Sequence, residues 1–544
     1  MATIKIPRKE FEKHLKLTKE IEEQIPQMGV ALEKVDENEI EIEVTANRPD
    51  LYSLQGFMRA FLAFIGKKTG LKEYKVNKPE KDFQVTIEPS LKEIRPFTAC
   101  AIVKNFKFDD DKIKEIIDIQ EKLHTTFGRN RRKIAIGIYP LEKIKLPIRF
   151  QALAPKDIKF QPLESPKEMN GLQILQQHPT GRDYAPLLEG KDKFTIFIDE
   201  NTEILSMPPI INSHKTGKVS ESTRDIFIEC SGFDFEALNK TLNILVTMLA
   251  EMGGEIYQMN LIYGKDKRVT PDLEPEKMKI SLESVNKLLG LELKESEIKG
   301  LLEKMGHNYN KDKTADIPAW RTDIMHEVDL IEDIAIAYGY NNFAPEIPQI
   351  ATIGEIASIE SLKKKIADIL LGLGITETLT YHLNTQDEIK KLNKKPEVEV
   401  EDSKTEYKYL RSDLLSQSLG VLSQNVDSSY PQKVFETGVV FKKDSTGKSE
   451  TGIKESEKLA IALVSPTTGF TEIKQTLDYL MRMLNKEYSL ETGNNSFFID
   501  GRCAKILVDN KEIGNLGEIL PQTLSNLKIK MPVAALEIDI EALL

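Results

Sequence analysis

The period of the apolar positions changes repeatedly along the 544 residues, and each change marks an expected element. Near the start, RKEFEKHLKL reads as a short helix, and EIEIEV alternates like a strand with one buried face. TANRPDLYSLQGFMRAFLAFIG then carries a helical stripe of Leu54, Phe57, Met58, Phe61, Leu62 and Ile65, with Asp50 able to cap it. KVNKPEKD follows as a linker. In the next unit a helix with Ile113, Ile116, Ile117, Gln120 and Leu123 on one face runs to His124, FGRN turns, and KIAIGIY, KFTIFID and DIFIEC read as strands. A long helix from about Phe235 to Met252 ends at Gly253 and Gly254, with Asp234 at its start. Helices covering a sheet are the expected architecture.

Beyond a second linker, PDLEPEKMK, come the amphipathic helices SLESVNKLLG and KESEIKGLLEKMG, the extended KTADIPAW, an acidic helix, and the proline-containing NNFAPEIPQI. The remainder opens with the helix SLKKKIADILLGLG and the strand TETLTYHL. KVFETGVVF, AKILVD and AALEIDI then suggest an antiparallel sheet, while FKKDSTGKSETGIKESEK reads as a mobile polar excursion. There is no repeat of fixed period. The chain reads as an α+β multi-domain protein with units at 1–83, 84–268, 272–346 and 355–544, close to the prior of roughly one domain per 150 residues.

Composition narrows the function. No apolar run approaches the roughly 20 residues that span a bilayer, and MATIKIPRKEFEKHL lacks the apolar core of a secretory signal. Cys100, Cys230 and Cys503 are far apart, without a metal or redox spacing, so a cytosolic, reduced location is expected. A formal net charge of -11 argues against a grip on a large RNA by this chain alone. Local basic patches are Arg129, Arg131, Arg132 and Lys133, and Lys363 to Lys365; such runs are more often ordinary solvated loops or helix faces. The seven histidines are scattered, and no zinc-protease, nucleophile-elbow or phosphate-loop motif occurs. PPIINSHKTGK gathers Asn212, Ser213, His214 and Thr216 after two prolines, as a binding loop or a polar turn.

WRTDIMHEVDLIEDIAIAYGY concentrates Asp323, Glu327, Asp329, Glu332 and Asp333. At about 100° per residue, Asp329, Glu332 and Asp333 share one side of a helix and Ile331, Ile334 and Tyr338 the other. The acidic trio is therefore expected to face away from the core. It is either a solvated N-terminal face favoured by the helix dipole or a patch for Mg²⁺, which binds through one or two carboxylates and keeps its waters.

Four segments together resemble one family, the phenylalanyl-tRNA synthetase beta subunit of archaeal and eukaryotic-cytosolic type. TANRPDLYSLQGFMRAFLAF is similar to its N-terminal signature, and PPIINSHKTGK with IFIECSGFD to its editing domain. DIPAWRTDIMHEVDLIEDIAIAYGYNNF resembles its small metal-linked domain, and LRSDLLSQSLGVLSQN with YPQKVFETGVVF its catalytic-like domain. The resemblance implies an editing domain with helices on a mixed sheet, a small winged-helix-like domain, and a class II synthetase-like antiparallel sheet domain.

It further implies magnesium on Asp323, Asp329, Glu332 and Asp333, and hydrolysis of tyrosine wrongly esterified to the phenylalanine tRNA. A pocket shaped for Phe rejects an added hydroxyl poorly, so a second sieve is useful. Asp234 is expected to partner the phenol, with Asn212, Ser213 and the backbone at Ile204 and Leu205 shaping the pocket, and His124 and Arg129 as further candidates. Where class II enzymes carry an arginine for ATP, this chain reads Phe441, Lys442, Lys443, Asp444, and no G-x-E-R follows. Lys cannot reproduce the planar clamp, so ATP and phenylalanine are expected on an alpha subunit, within an assembly of two alpha and two beta chains. Neither an N-terminal oligonucleotide-binding insertion nor an anticodon-binding domain is evident. The competing readings are a scaffold with a silent editing site and a free-standing ester hydrolase.

Overall fold

The computed structural model describes residues 2–348, 350–447 and 449–544, and these divide into two compact units, 1–346 and 347–544. In the first unit one hydrophobic cluster runs from Ile4, Ile6 and Phe11 through Phe57 and Phe61 to Leu245 and Trp320. The first three sequence-defined stretches thus share a core.

That unit is organised on an eleven-stranded mixed sheet. Toward one end of it Ile226–Gly232 pairs antiparallel to both Phe97–Lys104 and the last strand, Ile134–Pro140. Every residue of Ile226–Gly232 and of Ile134–Pro140 is buried, as strands covered on both faces require. The helix Phe235–Glu251 packs on this sheet through Leu238, Leu242 and Leu245. Its Asn243 donates to the Asp272 and Ala319 carbonyls at 2.7 and 3.0 Å, fastening the following segment. The helix Asp110–Thr125, capped by Asp109, covers Ile134–Pro140.

Residues 276–338 add a three-stranded sheet, Glu276–Lys279, Thr314–Ile317 and Asn308–Tyr309, with helices Leu282–Leu289, Glu295–Lys304 and Glu327–Tyr338. Two elements near the N-terminus differ from the sequence reading. Ala2–Pro7 is a strand, and Ser53 rather than Asp50 caps the helix Leu54–Phe64, while Asp50 binds Arg48.

The second unit is a seven-stranded sheet. Successive residues of Ile453–Val464 serve opposite faces: Leu459, Ile461 and Leu463 meet helices Ser358–Gly372 and Phe470–Met483, whereas Ala462 and Val464 meet Leu415–Gln424. TETLTYHL is strand only at Thr376–Glu377 and Leu383–Asn384, leaving Leu379 and Tyr381 exposed. The polar excursion is shorter than expected, because Gln432–Lys443 and Ile453–Val464 pair out to Lys443 and Ile453; its Lys448 lies outside the described residues. No helix among the described residues is long and apolar enough to cross a membrane.

Candidate functional site

The first unit holds a cavity of about 500 Å³ between the helix Asp110–Thr125, the sheet, and the loop around Pro208 to Lys218, a size common for small-molecule sites. Its walls are apolar at Ile116, Ile117, Ile136 and Ile138, and polar at Glu121, Arg131, Asn212, His214 and Glu229.

Glu229 is the unusual group. It lies at the middle of a fully buried strand, opposite Gly137 on one side and Cys100 on the other. A Cβ on residue 137 would fall 2.2 Å from the Tyr139 hydroxyl and 2.6 Å from Glu229 Oε1, so glycine there makes room for the carboxyl group. Tyr139 donates toward Glu229 Oε1 and Asn212 Oδ1, each at 3.3 Å. Among the described residues Glu229 Oε2 has no hydrogen-bond partner within bonding distance, though the Ser231 hydroxyl also favours the carboxylate. Burial pushes the Glu229 pKa up to about 8, with the Arg95 charge and the Tyr139 hydroxyl opposing. At neutral pH the group is therefore mostly a protonated acid, able to donate as well as accept.

Further buried polar atoms around the cavity lack partners: His214 Nδ1, His178 Nδ1 and Arg131 Nε. The Arg131 guanidinium is otherwise held by the Ile210 carbonyl at 2.9 Å, by Glu121 at 3.0 Å, and by the Tyr184 ring. Residues 129, 130 and 131 all adopt left-handed φ values of 51, 52 and 64°, a cost of about 1 kcal/mol or more per residue. Such strain concentrates at functional positions. An apolar slot with unsatisfied polar groups suits a small amphipathic ligand carrying a hydroxyl.

Of the residues singled out from sequence, Asn212, His214 and His124 line this cavity. His124 is 2% exposed; its Nε2 accepts the Ile136 N–H at 2.8 Å, so its proton lies on Nδ1, facing Glu121 at 3.3 Å. Burial also lowers its pKa. It holds helix to strand and is not free to act as a base. Ser213 is buried just outside, its N–H bonded to the Leu205 carbonyl at 2.8 Å. Leu205 belongs to the core beside Phe197, and Ile204 is half-buried at the strand start. Neither lines the cavity.

Asp234 must be corrected. It is exposed, its carboxylate accepts the Glu236 and Ala237 N–H groups at 3.1 and 3.3 Å, and it is absent from the cavity wall. The four donors at a helix start need partners, and Asp234 supplies one. Arg129 is likewise exposed, while its neighbour Arg131 reaches the cavity. Glu229 went unremarked in the sequence, where the signal was a lone acid inside the apolar run DIFIEC.

The acidic helix also differs from expectation. Asp333 is buried, accepting from His307 Nε2 at 2.7 Å and lying 3.0 Å from Arg321 Nη2. Burial would raise its pKa, but Arg321 and His307 outweigh this and hold it at about 2. Asp323 takes both fork bonds of Arg321 at 2.8 Å. Asp329 accepts the Met325 and His326 N–H groups, each at 2.7 Å, and Glu332 is exposed. The trio does not face outward together, because Arg321 draws Asp333 inward. No group of three His, Cys, Asp or Glu side chains is arranged for a metal ion among the described residues. As placed, the four carboxylates do not fit a magnesium ligand set.

Comparison with known proteins supplies the deciding observation. The chain is 41% identical over 504 residues to the phenylalanine–tRNA ligase beta subunit of Pyrococcus abyssi, covering 91% of this chain and 90% of that protein. This chain belongs to the phenylalanine–tRNA ligase beta subunit family. The Archaeoglobus fulgidus beta subunit is 38% identical over 528 residues, covering 95% and 94% respectively. Residues 278–340 match the tRNA synthetase B5 domain, and 344–540 the phenylalanyl tRNA synthetase beta chain CLM domain. The N-terminal fragment of the Pyrococcus horikoshii beta subunit is similar in structure, with TM-score 0.59 and 37% identity over 62% of this chain and 99% of that one.

In the second unit, the positions expected to have lost ATP chemistry lie on the strand Gln432–Lys443, where Phe441 N–H bonds the Arg411 carbonyl at 2.9 Å. Arg411 is itself buried in an ion pair with Glu436 at 2.6 Å. Its guanidinium is committed internally, to Glu436, Thr380 and the Val439 carbonyl.

Proposed function

We propose that this beta subunit hydrolyses tyrosyl esters mistakenly formed on the phenylalanine tRNA, while amino-acid activation occurs on a partner alpha subunit in a two-alpha, two-beta assembly in the cytoplasm. The observation that carries the editing reading is Glu229, buried in the cavity wall with one carboxyl oxygen unpartnered.

A tyrosine side chain entering the apolar slot brings a hydroxyl that can bond the unpaired Glu229 oxygen. Phenylalanine brings none and leaves that oxygen orphaned, a difference of about 1–3 kcal/mol. Glu229 thus supplies selectivity by rewarding what the synthetic site cannot reject. The aminoacyl ester would project toward the wall that carries Asn212 and His214. Hydrolysis consumes one water: its oxygen bonds to the ester carbonyl carbon and the bond to the terminal ribose oxygen breaks. One proton then goes to that ribose oxygen and one to solvent. Arg131, with Nε unpaired, stands ready for nearby negative charge. Because the carboxylates do not fit magnesium as placed, no step passes through that ion.

For the second unit, Lys442 and Lys443 in place of an arginine clamp support loss of ATP activation. The test uses the purified alpha–beta complex. Wild type should release tyrosine from tyrosyl-tRNA, and Glu229→Ala should lose that release while phenylalanine charging continues. Undiminished release by Glu229→Ala would remove the basis of the reading.

A further inference from the structure

A second cavity, of about 330 Å³, lies in the first unit between the helix Leu54–Phe64, the stretch 68–72 and the Pro318 to Arg321 turn. Nothing in the editing reading uses it. Its lining includes Arg48, Arg59, Lys68, Lys72 and Arg321 against two carboxylates, Asp50 and Glu251.

Two R-x-D triplets build one side. Arg48 gives Nε and Nη2 to the two oxygens of Asp50, both at 2.9 Å; Arg321 does the same to Asp323, both at 2.8 Å. Each fork is thereby fixed, and Arg321 Nη2 also lies 3.0 Å from Asp333. Arg321 is 2% exposed, yet its Nη1 has no hydrogen-bond partner. The two guanidiniums are close enough to repel each other. A buried donor left without a partner is costly, although Asp50, Asp323 and Asp333 balance the two charges themselves.

We propose that this cavity binds a small phosphate-type oxyanion between Arg48 and Arg321. Such an anion would fill the unpaired Nη1 position of Arg321, and planar guanidinium forks are suited to phosphate oxygens. Asp50 and Asp323 are engaged on the Nε–Nη2 edges of the two arginines, while Asp333 meets Arg321 Nη2 and His307 Nε2. Lys68 stands exposed at the wall and makes no ion pair among the described residues. The near-complete burial of Arg321 favours a free small anion over a nucleic-acid backbone.

Trp320, the chain's single tryptophan, lines the same cavity with the Arg59 guanidinium 4.3 Å from its ring. Intrinsic fluorescence therefore reports on the site directly. Orthophosphate and diphosphate are titrated separately into the full chain at constant ionic strength, with chloride as control. A saturable change with either, absent with chloride, is expected. Arg321→Lys should weaken it at least tenfold and Lys68→Ala severalfold. If Arg321→Lys fails to fold, Lys68→Ala and Arg48→Lys read the same site. No saturable response to either anion, or unchanged affinity in folded Arg48→Lys and Lys68→Ala variants, overturns the proposal. Binding by a phosphorylated oligonucleotide but by neither free anion overturns it too.

Discussion

The Glu229 carboxyl and the Tyr139 hydroxyl meet at 3.3 Å between paired strands, both almost wholly sealed from solvent. Burial raises both pKa values, so Tyr139 stays neutral and Glu229 gives up the charge a carboxyl group carries in water. The contact joins an ionisable acid to the wall of an otherwise apolar slot.

Stability should therefore fall with rising pH in a defined window. The Glu229 pKa is raised from 4.5 to about 8, so the folded state holds a proton that the unfolded state releases between those values. Stability is full below pH 4.5, declines through that interval, and has lost a few kcal/mol by pH 8. Glu229→Gln should flatten the profile. Thermal midpoints of the two proteins from pH 5 to pH 8 are the measurement.

Asp234→Ala should separate helix capping from substrate recognition. Loss of its bonds to Glu236 and Ala237 should cost about 1 kcal/mol. Tyrosine release per folded complex should stay unchanged. A denaturant melt and a deacylation assay on the same preparation check both halves.

Removing Arg321 should be severe. Asp333 and Asp323 would keep their burial without their counter-charge, and Arg321→Met should destabilise the first unit by about 3–5 kcal/mol. Because the Asp333 pKa is held at about 2, its contribution is present above pH 3.8 and fades as pH falls toward 2. By contrast, a chelator should leave the wild-type melt unmoved, since these carboxylates are neutralised by arginine.

In the second unit, Glu436→Ala should strand the Arg411 charge, again at about 3–5 kcal/mol. Glu436→Gln should be milder, because it keeps an acceptor for Arg411. The wild-type chain without a partner should show no phenylalanine-dependent exchange of diphosphate into ATP.

Local pattern alone was enough for most of the secondary structure. The stripe from Leu54 to Phe61 became a buried helix face, and AALEIDI became the strand Val533–Asp539, because such periods reflect burial on one side of a regular element. TETLTYHL misled because alternation is necessary for a half-buried strand and not sufficient. It pairs only at its two ends, Thr376–Glu377 and Leu383, and the residues between them form no strand.

The site was less legible, since a side chain's chemistry depends on neighbours far away in sequence. Asp234 looked available until the helix behind it claimed its oxygens, and Asp333 looked solvated until Arg321 and His307 closed over it. The chain by itself determined its periodic elements and its family. Only the tertiary structure decided that Glu229 faces a cavity and that Arg321 is buried with one donor unpaired. Burial and pairing are set by contacts such as Glu229 with Tyr139, 90 residues apart, which no local pattern encodes.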